Sequence, residues 1–152
     1  MTRPIKATDA LLKDHRMIRK LLESWQVDNP RFDALTRTLH RTLVAHGWFE
    51  DEIFLPALQA EPLIFQRFQM EVSQEHFDMD ALLKIMRKLS PAQKKEQACY
   101  ALQLQVLLDT HFKKEEEALF PLAEKLLAEE GLLALGAEMQ ARHEEVRKFA
   151  EI

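Results

Sequence analysis

This 152-residue chain has few of the residues that cross-link or punctuate a backbone. It carries one cysteine, Cys99, so no internal disulfide can form and nothing points to an oxidising compartment. Gly and Pro together number 9, against about 18 expected for average usage at this length, which excludes collagen-like and Gly/Pro-rich disordered classes. Val and Ile together number 11 against 24 Leu, a bias away from strand and towards helix. No uncharged run approaches the ~18 residues that a membrane span needs. The first six residues contain no apolar h-region, so no signal peptide is expected. Basic residues are not in excess: 21 Lys plus Arg face 25 Asp plus Glu, a formal charge of −4. That balance argues against a nucleic-acid partner, which selects a basic patch or stripe. The expectation is a single cytoplasmic domain over residues 1–152, with neither nucleic acid nor membrane as partner.

What the chain does have is helical periodicity. Residues 10–25 place Leu11, His15, Ile18, Leu22 and Trp25 on one stripe, with Thr8 or Asp9 as N-cap. Asn29 and Pro30 mark a loop. A second helix from Phe32 to Pro56 or beyond carries Leu35, Leu39, Leu43, His46, Glu50 and Ile53 inward. A third, opened by Pro62, carries Phe65, Phe68, Val72, His76, Met79, Leu83 and Met86. Ser90-Pro91 reads as the start of a fourth, whose stripe is Leu104, Leu108, His111, Glu115, Ala118 and Leu122, with Pro121 as a kink or end and Gly131 as C-cap. A fifth covers 132–150. The pattern predicts an all-α fold, an up-down four-helix bundle with an extra C-terminal helix.

The two halves of the chain repeat each other. Residues 14–22 align with 75–83, and residues 46–56 align with 111–121. In both copies of the second segment, Glu follows His by four residues and Pro follows by ten. The first and second segments are 31 residues apart in one half and 35 in the other, a difference of about one helical turn. A helix pair used twice about a pseudo-two-fold axis explains the pattern.

A lone His on an apolar stripe is usually a packed core residue. Here His15, His46, His76 and His111 place one on each of four helices, and Glu50 and Glu115 follow two of them at i+4. Two carboxylates in a bundle centre need a counter-charge, and the stripes contain no Lys or Arg to supply it. A divalent metal would. Side chains at i and i+4 lie on one face about 5–6 Å apart, so each His and Glu pair can grip one ion. Six donors exceed the four of a tetrahedral zinc. They suit two ions with the carboxylates bridging, and the residual positive charge invites a bridging hydroxide, oxide or dioxygen-derived ligand. Imidazole and carboxylate without thiolate favour iron, with manganese next.

With these residues in order, the chain resembles the hemerythrin-like, or HHE cation-binding, family, over about residues 14–121. The matching residues are His15, His46-x3-Glu50, His76 and His111-x3-Glu115. The resemblance implies a four-helix bundle holding two iron ions, oxo- or hydroxo-bridged, whose ligand is dioxygen or another small diatomic or peroxide molecule. It further implies oxygen or nitric-oxide sensing, iron handling or stress-related repair. Two departures separate the chain from the oxygen-carrying blood pigments. Those have a second His one turn from the third-helix His, where this chain has Val72 and Asp80. They bridge with an Asp five residues after the fourth-helix His, where it has Glu116. The resemblance therefore implies four His ligands. Asp51 and Glu116 each stand one residue beyond the paired Glu, a step of about 100° round an α-helix, which favours Glu50 and Glu115 as the bridges. Two rival readings remain: a di-iron enzyme acting on peroxide or nitric oxide, and a metal-free interaction bundle.

Other residues carry weaker expectations. His143 is expected to be packed or at the surface, with a place over the site as the minority reading. His40 is expected to face solvent, as is Asp80, with a carboxylate offered to the open metal position as its lesser reading, and Cys99 is expected to be a buried apolar filler. Trp25, Phe49, Phe77 and Phe112 are expected to be plain core, with walling the metal pocket as the lesser reading. The acidic runs 50–52 and 115–117 are expected to be solvated apart from one inward member each.

Overall fold

The computed structural model describes residues 3–151. Its elements are α1 (Ala7–Ser24), α2 (Phe32–Phe49), α3 (Pro62–Lys88), α4 (Lys94–Lys114), α5 (Phe120–Ala141) and α6 (His143–Phe149). No strand occurs among the described residues, and none of the helices is long and apolar enough to cross a membrane. The all-helical expectation and the bundle arrangement hold. α2 packs against both α1 and α3, α4 packs on α3, and α5 prolongs α4 and packs on α1. The short α6 folds back on α2 and α5.

Two stretches depart from the α-helix in the same way. After α2, Glu50–Phe54 forms a π-helical turn, followed by a 3-10 turn over Leu55–Leu58. After α4, Glu115–Leu119 forms a second π-helical turn before α5. Leu55 N–H donates to Glu50 O, and Phe120 N–H donates to Glu115 O, so each bond spans five residues. Pro56 and Pro121 follow directly. A proline offers no N–H and crowds the carbonyl four residues back, so the α-ladder cannot continue through it, and the widened turn is where the chain accommodates that. The repeat seen in the sequence thus extends to its irregularities.

Helix ends are less regular than the sequence suggests. α1 starts at Ala7, and the buried Thr8 hydroxyl donates to Glu124 at 3.1 Å rather than capping. Ser90-Pro91 lies in a turn ahead of α4, where Ser90 N–H donates to the Gln93 side chain at 2.9 Å. Gly131 is not a C-cap. It sits within α5, and the break falls at Ala128 instead, with φ 55° and ψ 177°. The expected helix over 132–150 is therefore the second half of α5 plus α6. Gly136 lies where the N-terminal segment crosses α5, and a Cβ there would collide with the Ile5 carbonyl.

The exposed Ala128 occupies a region of backbone space that only glycine adopts freely, at a strain of about 1–3 kcal/mol. Ala128→Gly removes that strain, less the extra flexibility it gives the unfolded chain. The expected result is a net gain of about 1 kcal/mol, read as a rise of about 2–4 °C in melting temperature.

The apolar interior is divided in two. One cluster contains Leu11, Ile53, Phe54, Val72, Leu119 and Phe120. The other contains Ile18, Leu39, Leu43, Met79, Leu83, Leu104, Leu108 and Phe112. Along α1 the change from the first to the second falls between Leu11 and Ile18, and His15 stands in that gap. His46 and His76 stand in the matching gaps of α2 and α3, and on α4 His111 lies beside Phe112 at the edge of the second core. The bundle is two apolar cores with a polar layer between them.

Candidate metal centre

That layer brings together all six residues singled out by the sequence. His15, His46, His111, Glu50 and Glu115 are buried, and His76 is 13% exposed at its side chain. The imidazole Nε2 atoms point inward. His15 Nε2 lies 3.2 Å from Glu115 Oε1 and 3.2 Å from His46 Nε2. His46 Nε2 is 3.2 Å and His76 Nε2 3.0 Å from Glu50 Oε1, while His111 Nε2 is 3.2 Å from Glu115 Oε1. Two overlapping groups, His15–His46–Glu50–Glu115 and Glu50–His76–His111, each bring one ligand atom per residue within 4.8 Å of the others and could hold a metal ion. Glu50 belongs to both.

On the outer side, every Nδ1 donates to a carboxylate on a neighbouring helix. His15 meets Glu116 at 2.8 Å, His46 meets Asp14 at 3.2 Å, His76 meets Asp51 at 3.0 Å and His111 meets Glu75 at 2.9 Å. The pattern obeys the repeat: Asp14 and Glu75 precede a His, while Asp51 and Glu116 follow a Glu. With the proton held at Nδ1, a neutral imidazole keeps its lone pair on Nε2, aimed into the layer. Arg19 braces Glu116 at 2.9 Å, and Lys114 braces Glu75 at 2.8 Å.

Asp51 and Glu116 correct the reading of the acidic runs as solvated but for one member each: two members of each run serve the layer. A five-residue turn spreads more residues round each circle, so neighbours diverge less in direction than in an α-helix. Glu50 and Asp51 can then reach opposite sides of His76. Asp51 also accepts a hydrogen bond from Ser73 at 3.0 Å.

The electrostatics show what the layer demands. Burial pushes the His46 pKa down, but Glu50 and Asp14 outweigh it and raise it to about 10. Burial likewise opposes, and Asp51 and Glu50 overcome, at His76, which rises to about 9. His111 is raised well above its usual value against burial, by Glu115, Glu50 and Glu75. Glu50 is held well below the carboxylate range despite burial, chiefly by His46. The carboxylates hold positive charge in the layer, and protons or metal ions can provide it. Even so, Glu50 Oε2, both Glu115 oxygens and His111 Nε2 are buried without a hydrogen-bond partner. Orphaned carboxylate oxygens among inward imidazole nitrogens form a donor set that could hold a metal ion.

Phe112 stacks on His15 at 3.9 Å between ring centroids and walls the site. Trp25 lies away from it, stacked on Phe32 and donating to Thr36 at 2.8 Å. Phe49 belongs to the first core, and Phe77 is exposed. His143 and Cys99 are both exposed, so Cys99 is no core filler. His40 and Asp80 do not simply face solvent: His40 is 1% exposed and its Nε2 donates to half-buried Asp80 at 2.7 Å.

Gly47 lies off the inner stripe of α2, and a glycine inside a helical pattern is itself a packing signal. A Cβ there would lie 3.2 Å from the His76 ring. Gly47→Ala should therefore shift His76. Because Ala gains about 1 kcal/mol of helix propensity, the melting temperature of metal-free protein is expected to change little while metal affinity drops about tenfold. Parallel thermal melts and metal titrations separate the two effects.

Compared with known proteins, the chain matches no family model, no curated protein and no solved structure.

Proposed function

We propose that this chain is a hemerythrin-like non-haem di-iron protein that binds dioxygen or a related small ligand, in oxygen or redox sensing, iron handling or stress response. The observation that carries the reading is the double arrangement around each His, with a carboxylate on Nδ1 and an inward Nε2 facing orphaned Glu oxygens. A metal-free interaction bundle would have to satisfy those oxygens with imidazolium protons and water. Two irons held here supply redox-active cations that can take a small ligand. His15, His46, His76 and His111 would hold them through Nε2, together with Glu50 and Glu115. Asp14, Asp51, Glu75 and Glu116 fix the imidazole tautomers. Phe112 and the two apolar cores exclude water. No separate acid or base stands ready within the layer, which supports binding over turnover.

Metal content per chain by plasma mass spectrometry, on protein expressed with iron, tests the reading. The expected result is close to two irons. One zinc, or no metal after anaerobic reconstitution with iron, would overturn it.

A further inference from the structure

His76 is the most exposed of the six layer residues, and it opens onto a cleft of about 440 Å³ between α2 and α3. That volume lies in the range of sites for organic molecules and far exceeds what a diatomic needs. The cleft follows α2 from His40 to Glu52, about 18 Å at the helical rise. Val44 and Leu83 line its apolar wall, while Trp48, Phe77 and Phe149 supply three aromatic rings. Phe77 and Phe149 are 68% and 60% exposed, more than large apolar side chains usually are. The acidic lining is Asp51, Glu52 and Asp80, and its basic members are Lys84 and His76.

The end of the cleft is built, not incidental. His40, buried, donates from Nε2 to Asp80 and accepts at Nδ1 from Arg87 at 3.3 Å. Lys84 binds the other Asp80 oxygen at 2.8 Å. Asp80 is thereby fixed at one end and Asp51, through His76 and Ser73, at the other. Aromatic faces combined with carboxylates attract ammonium groups and repel anions. Trp48 already receives one cation: Arg142 lies 4.6 Å from its ring centroid.

We propose that this cleft is a second binding site, for a small organic cation with an aromatic or alkyl body, seated beside the metal layer. The cleft stands on its own geometry, and only its contact with the centre through His76 rests on the metal reading above.

Calorimetric titration tests it, on the protein as purified and with iron measured on the same sample. The probe 2-phenylethylamine is expected to bind saturably, one per chain, with Kd below about 1 mM. The neutral 2-phenylethanol should bind about tenfold more weakly, and the anion 3-phenylpropanoate should not bind. Val44→Trp fills the cleft and should abolish amine binding without changing iron content. Glu52→Gln, at an exposed position and safe for folding, should weaken the amine by about three- to tenfold. Absence of saturable amine binding overturns the proposal. So does equal binding of the alcohol or the anion, or amine binding unchanged in Glu52→Gln. Amine binding to a chain that takes up no iron supports the cleft and removes the metal reading; two irons with no amine binding does the reverse.

Discussion

Glu50→Gln is expected to cost more metal than Glu115→Gln, because it weakens both metal positions while Glu115→Gln leaves one intact. Glu50 belongs to both groups of converging donors, and Glu115 belongs to only one. Without Glu50, one group keeps His15, His46 and Glu115, and the other keeps two imidazoles with no carboxylate. Without Glu115, the Glu50–His76–His111 group is intact. Glutamine preserves the shape of the side chain and removes the charge, so the fold itself should survive, as circular dichroism can verify. The expected readout is at most about one iron per chain for Glu50→Gln and between about one and two for Glu115→Gln. Equal losses in the two variants would mean that the carboxylates are equivalent and that the asymmetry of the two groups has no chemical consequence.

The second large effect is a reversal of pH dependence on metal loading. His46 and His76 have folded pKa values raised to about 10 and 9, and His111 is raised well above its usual value. A group raised on folding stabilises fully below its unfolded value of about 6.5, and that contribution fades as pH climbs through the folded value. Glu50 is depressed, so its contribution is present above about 4.5 and fades as pH falls towards its folded value. Metal-free protein should therefore be most stable between about pH 4.5 and 6.5 and lose on the order of several kcal/mol towards pH 9. Metal ions need the same Nε2 atoms free of protons, so loading strengthens as pH rises and releases about three protons near pH 7. Melting temperatures of chelated and ferrous-loaded protein, recorded anaerobically from pH 5 to 8, should fall in the first case and rise in the second. Parallel slopes would sink the assignment of the ions to Nε2.

Much of this centre was legible in the sequence because its six residues occupy apolar stripes, where a polar side chain is conspicuous. The outer carboxylates were not. Asp14, Glu75, Asp51 and Glu116 sit among other acids at the helix surface, and only the repeat marks them, through their fixed places beside His15, His76, Glu50 and Glu115. The π-helical turns were hidden for another reason. The 100° step that seemed to set Asp51 and Glu116 aside assumes an α-helix, and the backbone is not one at those positions. His40 lies off the stripe of α2 that points to the centre, but that helix also faces α3, and His40 is buried on that second face. The break at Ala128 leaves no composition signal at all, since the residue in the glycine-like conformation is an alanine and the nearby Gly131 is helical.

The division of the interior has a mechanical consequence. Each apolar core holds its own end of the bundle by burial, but across the middle the helices are joined by imidazole–carboxylate contacts, which depend on charge and weaken when ions or protons leave. The molecule has a seam at its waist. Stripped of metal at alkaline pH, it should open there first, and amide exchange should quicken around 14–16, 45–51, 75–77 and 110–116 while the segments on either side stay protected. Occupancy of the centre would then be reported outward as stiffness of the whole bundle.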